Sequence, residues 1–154
     1  MGSPVSVWRY LLGAVAVALL VNGLLFVFDL RGGGQAQRDR AQFPLLPPPW
    51  VIGAVWTVLL AAMALAQLRL ARRTQDPSLL WWVPALFLNC LLYPAYTGGF
   101  TNEIAGLLGN LLTLALSAYV AGRLHSVTRL GAALIGLVTA WSGFATVATF
   151  RLPG

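Results

Sequence analysis

The chain has 154 residues, 58% of them apolar and 9% charged, whereas soluble domains carry about 25% charged residues. So short a chain cannot hide that much apolar surface around a core of its own, which excludes a water-soluble globular protein. The net charge of +6 comes from arginine with no lysine, and the arginines sit at the ends of apolar runs, the placement of headgroup anchors and not of a nucleic-acid surface.

Arg9 to Asp29, Arg40 to Arg69, Asp76 to Glu103, Glu103 to Arg123 and Arg129 to Arg151 each enclose roughly 19 or more uncharged residues, and a helix needs about 20 to cross the hydrocarbon. Without water to satisfy the backbone, only helices or closed barrels can span. The runs are continuous, rich in Leu and Ala, and do not alternate, which selects helices. The expected fold is an all-α integral membrane protein, a five-transmembrane-helix bundle forming a single domain over 1–154.

The first span covers about residues 8–28. It is too long for a signal-peptide core and lacks an obvious small-residue cleavage site after it, so it reads as a retained helix. Gly32, Gly33 and Gly34 open a polar first loop, about 29–48, that ends in Phe43-Pro44-Leu45-Leu46-Pro47-Pro48-Pro49-Trp50. Proline at this density suits an extended approach and then the first helical position, where its missing N–H costs nothing. The second span runs about 49–71, ending near Arg72 and Arg73. Asp76-Pro77-Ser78 supplies a cap and a proline to start the third, about 78–97, with Trp81 and Trp82 in the first turn at the membrane interface. Gly98-Gly99 breaks the chain, and Thr101-Asn102-Glu103 starts the fourth span, about 103–122. The fifth is about 130–150.

Short loops after the first make successive helices antiparallel neighbours. Gly106, Gly109, Gly136, Ala140 and Gly143 either allow close helix approach or reflect the ordinary abundance of small residues in membrane helices. Arg9, Arg69, Arg72, Arg73, Arg123 and Arg129 fall on one side, against Arg31, Arg38, Arg40 and Arg151 on the other. The bias puts the N-terminus in the cytoplasm. A bacterial cell membrane is the expected location of this multi-pass protein, with the outer membrane an open alternative.

Asp29, Asp39, Asp76, Glu103 and His125 all lie in loops or at helix ends. With no ionisable group at mid-span, a pump or proton-coupled carrier is disfavoured. One His and one Cys give no metal-ligand spacing or nucleophile pair, so no metal and no obligatory cofactor are expected; Cys90, inside an apolar run, reads as a small buried hydrophobe. Asn22, Gln67, Asn89 and Asn110 are the amides within the spans; each needs a partner, either another helix or a ligand. Trp50 already occupies the interface, so Trp56, about 9 Å deeper at 1.5 Å per residue, is not an anchor. Trp141 is equally deep in the fifth span. Such indoles either pack against neighbours or stack on a flat aromatic ligand.

Pro47-Pro48-Pro49-Trp50-Val51-Ile52-Gly53-Ala54-Val55-Trp56-Thr57, followed by Ala61-Ala62-Met63-Ala64, resembles the signature segment of the TspO/MBR family, the tryptophan-rich sensory proteins related to the mitochondrial translocator protein. Leu88-Asn89-Cys90-Leu91-Leu92-Tyr93-Pro94 and Ala140-Trp141-Ser142-Gly143-Phe144-Ala145-Thr146 resemble two further family segments, in the right order. The resemblance implies a five-helix bundle, commonly a homodimer, with a cavity beneath the first loop that accepts porphyrins and isoquinoline or benzodiazepine-type compounds. Carried over by position, Trp56, Asn89, Trp141 and Ala145 would line that cavity, with Pro47 at its rim and Leu60 and Leu92 at positions that are usually aromatic. Trp141 and Ala145, four apart, share a helix face. The first loop has Phe43 and Leu45 where tryptophan and tyrosine are usual, so the pocket is expected to be wider or less aromatic. Phe150 stands where a sterol motif has tyrosine, and sterol binding is not expected.

The leading expectation is a receptor or transporter-like protein that buries protoporphyrin IX or a related flat ring system between Trp56 and Trp141, with Asn89 donating or accepting a hydrogen bond and the first loop as lid. Its partners are then this small molecule, the bilayer and a second copy of the chain, with no nucleic acid. Two alternatives stay open: a light-dependent porphyrin-degrading enzyme in which Trp56 and Trp141 pass electrons, and a membrane stress regulator or scaffold without a ligand.

Overall fold

A computed structural model of the chain describes residues 12, 13, 16, 17, 19, 20, 45, 47–98 and 103–149. Four helices are formed: α1 (Pro49–Ala71), α2 (Pro77–Gly98), α3 (Glu103–His125) and α4 (Arg129–Thr149). These fall on the second to fifth predicted spans. Of the first span, residues 12, 13, 16, 17, 19 and 20 are helical and the others lie outside the described residues, as does most of the first loop with Phe43. Asn22 and Phe150 also lie outside them. The described helices therefore number four, not five.

Local chemistry explains the boundaries. Pro49 sits at the start of α1, where Val51 and Ile52 donate their N–H groups to the Pro48 carbonyl. Asp76 caps α2, its Oδ1 accepting from the Ser78 N–H at 2.9 Å while its carbonyl accepts from Leu80. Thr128 caps α4 in the same way, through Gly131 N at 3.1 Å. The fourth predicted span stops at 122, but α3 continues to His125. Gly122 fails as a stop because Leu124, fully buried, extends the face begun by Val120 four residues earlier.

The helices close into a ring: α3 and α4 pair most extensively, α1 packs on α4 and on α2, and α2 packs on α3. At the centre lie Leu59, Leu60, Met63, Ala66 and Leu70 of α1 with Leu79, Val83, Leu86 and Cys90 of α2. Val120 and Leu124 of α3 and Ala132, Ile135 and Val138 of α4 complete this core. The outer surface is also apolar, with Val58, Leu88, Leu108, Leu112, Leu137 and Val147 exposed. A helix that is hydrophobic all round belongs in lipid. Three helices have the length and apolarity to cross a bilayer: Trp50–Ala71, Ile104–His125 and Arg129–Ala148. The corresponding stretch of α2, Pro77–Tyr93, is shorter. The protein is an integral membrane protein.

Prolines 84 and 94 lie inside α2, and a proline cannot donate to the carbonyl four residues before it. Pro84 thus frees the Leu80 carbonyl, and Gln67 of α1 answers it: its Nε2 donates to Leu80 O at 3.1 Å. An amide that the sequence leaves open between helix pairing and ligand contact is therefore a backbone repair across the α1/α2 seam. Of the small residues, Gly143 sits where a Cβ would meet Leu114 of α3 at 3.7 Å, whereas Gly106 and Gly136 face open space.

Candidate functional site

The ends of α1 and α3 and the start of α4 meet at one end of the bundle, where Arg69, Arg72, Arg73, His125 and Arg129 border a common cleft. Counting up from that end at 1.5 Å per residue, Asn89, Thr113, Trp141 and Trp56 lie about 18–22 Å along their helices, at one level. The residues of the central core cluster run from the arginine end up to this level and stop there. What replaces them is a polar and aromatic layer.

Asn89 of α2 donates from Nδ2 to Thr113 Oγ1 of α3 at 2.9 Å. One turn further, Tyr93 Oη donates to Asn110 Oδ1 at 2.6 Å. Tyr96 Oη reaches Asn89 Oδ1 at 3.4 Å, long for a hydrogen bond. Thr113 is not left short by this, because its hydroxyl also donates to the Gly109 carbonyl at 2.9 Å. Asn110 and Thr113 are buried, so each bond is made away from water, where an unpaired amide would be costly. The α2/α3 seam is held by side-chain hydrogen bonds at this level.

The tryptophans flank the layer. Trp56 is partly buried on α1 against the top of the core, and its ring lies 6.2 Å from that of Tyr93, tilted by 31°. Tyr93 in turn meets Tyr96 edge-on at 5.5 Å. Trp141 is likewise partly buried against the core, with Phe144 of its own helix at 5.5 Å. Ala145, one turn above Trp141, is partly buried. Next to Trp141, Ser142 Oγ is buried with no hydrogen-bond partner.

The remaining expected residues sit elsewhere. Leu60 is 3% exposed, a core side chain in the closed part of the bundle. Leu92 is 50% exposed on α2, and Pro47 is partly exposed just before α1. The structure thus gathers Trp56 and Asn89 around Tyr93 and Tyr96, sets Trp141 at the depth of Asn89 on α4 with Ala145 one turn above it, and leaves Leu60 and Leu92 apart. Two cavities stand out among the described residues, the cleft at the arginine end and a small one of about 140 Å³ lined by Met63, Gln67 and Phe87 among others. Neither reaches this layer.

The residues that sequence reasoning missed are Tyr93, Tyr96 and Thr113. Their signal was spacing: Tyr93 follows Asn89 by four residues and Tyr96 by seven, so all three share a face, and Thr113 follows Asn110 by three on the opposing helix.

Compared with known proteins, residues 12–153 match the model of the TspO/MBR family. No curated protein and no solved structure matches the chain.

Proposed function

Because the chain belongs to the TspO/MBR family, whose membership suggests a sensory or ligand-binding role in a membrane, we propose that it is a receptor or transporter-like protein for porphyrins, protoporphyrin IX in particular, and related flat hydrophobic molecules. The ligand would lie at the level of Trp56, Asn89 and Trp141. Support comes from one observation above all: two partly buried indoles on α1 and α4 share their depth with a hydrogen-bonded polar layer where the apolar core ends. Indole faces offer stacking to a flat ring system. Asn89 keeps its Nδ2 bond to Thr113, while the 3.4 Å contact from Tyr96 is weak enough for a ligand donor to replace it. Homodimer formation belongs to the same proposal and is read from the mass of the intact complex.

Titration of the purified protein with protoporphyrin IX, followed by quenching of tryptophan fluorescence, tests the proposal. Trp56→Phe with Trp141→Phe should weaken binding about tenfold, since an aromatic pair contributes about 0.5–1.5 kcal/mol beyond its area. Unchanged affinity in the double variant rules out this site.

A further inference from the structure

The cleft at the other end of the bundle has a different chemistry. Its volume is about 610 Å³ and four arginines border it: Arg69, Arg72 and Arg73 from the end of α1, and Arg129 from the start of α4. His125, Ser126 and Thr128 add further polar groups from the turn between α3 and α4. None of the four guanidinium groups is paired with a carboxylate among the described residues, and Asp76 is the sole acidic residue near this end of the chain's described helices, its Oδ1 already accepting from Ser78.

Arginines at helix ends serve as anchors one at a time, each reaching a headgroup alone. Here the fold does something else. It brings like charges from two helices to the walls of one concavity, an arrangement that repels itself unless an anion neutralises it. The fifth arginine at this end, Arg123, turns away: it lies 6.0 Å from the centroid of the Tyr119 ring, with Nη1 3.4 Å from Tyr119 Oη, and does not border the cleft. Tyr119 also meets Trp82 edge-on at 5.0 Å, and Trp81 beside it is 72% exposed. These rings mark the membrane interface, and they sit about 6–9 Å along their helices from the cleft end. The cleft therefore opens at headgroup depth. Guanidinium groups match phosphate oxygens in pairs of parallel hydrogen bonds, and several converging on one space select that group over a point contact.

We infer that this cleft is a binding site for a phosphate-bearing anion, supplied either by the headgroup of an anionic lipid or as free phosphate. It is independent of the porphyrin proposal, being built from other residues at the opposite end of the core.

The full chain, purified in detergent, is offered phosphatidylglycerol against phosphatidylcholine and read by native mass spectrometry, and separately titrated with inorganic phosphate by calorimetry. Arg129→Gln and Arg72→Gln test the two walls of the cleft; Arg123→Gln removes the same charge from the same end outside it. Circular dichroism checks that each variant keeps its helices, and exposed Arg72, beyond the end of α1, gives a variant that leaves helix packing untouched. Preferential retention of phosphatidylglycerol, weakened about tenfold by either cleft variant, the effect of losing one charge-assisted pair, and unchanged in Arg123→Gln, supports the site with lipid as its source. Phosphate binding lost in the same two variants without lipid preference supports it with a soluble source. Equal losses in all three variants, or binding of neither probe, overturns it.

Discussion

The two halves of this bundle are built on opposite principles. From the arginine end to about 20 Å along the helices, the interior is largely apolar and closed, with Met63, Leu70, Leu86, Val120, Leu124, Ile135 and Val138 at 0% exposure and the buried Ser117 hydroxyl bonded back to its own helix. Above it the same four helices carry amides, phenols and indoles, joined across α2 and α3 by Asn89–Thr113 and Tyr93–Asn110. Lipid gives no hydrophobic drive for helix association, so the closed half coheres by close packing and the other half by hydrogen bonds. Packing rewards filled space. Directed bonds tolerate space beside them, which is why a ligand site is sought in the polar half.

Leu86→Ala should show the largest effect, because it opens a cavity at a fully buried position of the core. A loss of about 2–4 kcal/mol is expected in denaturation from detergent micelles, with protoporphyrin affinity unchanged once the folded fraction is corrected for. The Trp56/Trp141 double variant should do the reverse. If Leu86→Ala weakens ligand and fold in proportion, the two halves are not separable and the comparison fails.

Gln67 is the exception that sharpens the rule, an amide within the closed half. Its task is the Leu80 carbonyl that Pro84 leaves unpaired. Gln67→Leu should cost about 1–3 kcal/mol, the penalty for a buried acceptor without a donor. The control is Pro84→Ala, which returns the α2 bond; in that background Gln67→Leu should cost much less. A Gln67→Leu penalty undiminished by the proline replacement would mean that Gln67 acts through packing alone. The Asn89–Thr113 bond should couple more weakly. A cycle of Asn89→Leu and Thr113→Val is expected to give about 0.6 kcal/mol, since polar pairs in membranes find other partners when broken.

Boundaries were legible because they are written in residues with one local meaning. Pro49 at a first helical position, Asp76 ahead of Ser78 and the arginines after Ala71 need no knowledge of the fold. Gly122 misleads for the opposite reason, because whether a glycine ends a helix depends on what lies beneath the next turn, here buried Leu124. Trp56, Asn89 and Trp141 could be singled out as large or polar side chains deep in apolar runs. Their partners could not. A helix that is apolar all round does not reveal which face meets which neighbour, so the pairing of Asn89 with Thr113, the role of Gln67 and the exposure of Leu92 follow only from rotation about the helix axes, which packing decides. The same holds for the cleft. The sequence counts its arginines on one side of the membrane, and the fold alone brings Arg129 to face the end of α1.

One effect of the opposite sign is expected at the border of the two halves. Hydroxyls within the helices return their proton to a carbonyl of the preceding turn: Thr57 to Gly53, Thr139 to Ile135, Thr146 to Ser142 and Ser117 to Leu114. Ser142 does not, although it is 2% exposed, and its Oγ is buried without a partner. A hydroxyl held in that condition opposes folding, so Ser142→Ala should stabilise the ligand-free protein by up to about 1 kcal/mol in micelle denaturation. In the presence of protoporphyrin the gain should shrink if Ser142, beside Trp141, donates to the bound molecule. Equal stabilisation with and without protoporphyrin would assign the hydroxyl no part in binding and leave the indole on α4 as that helix's contribution.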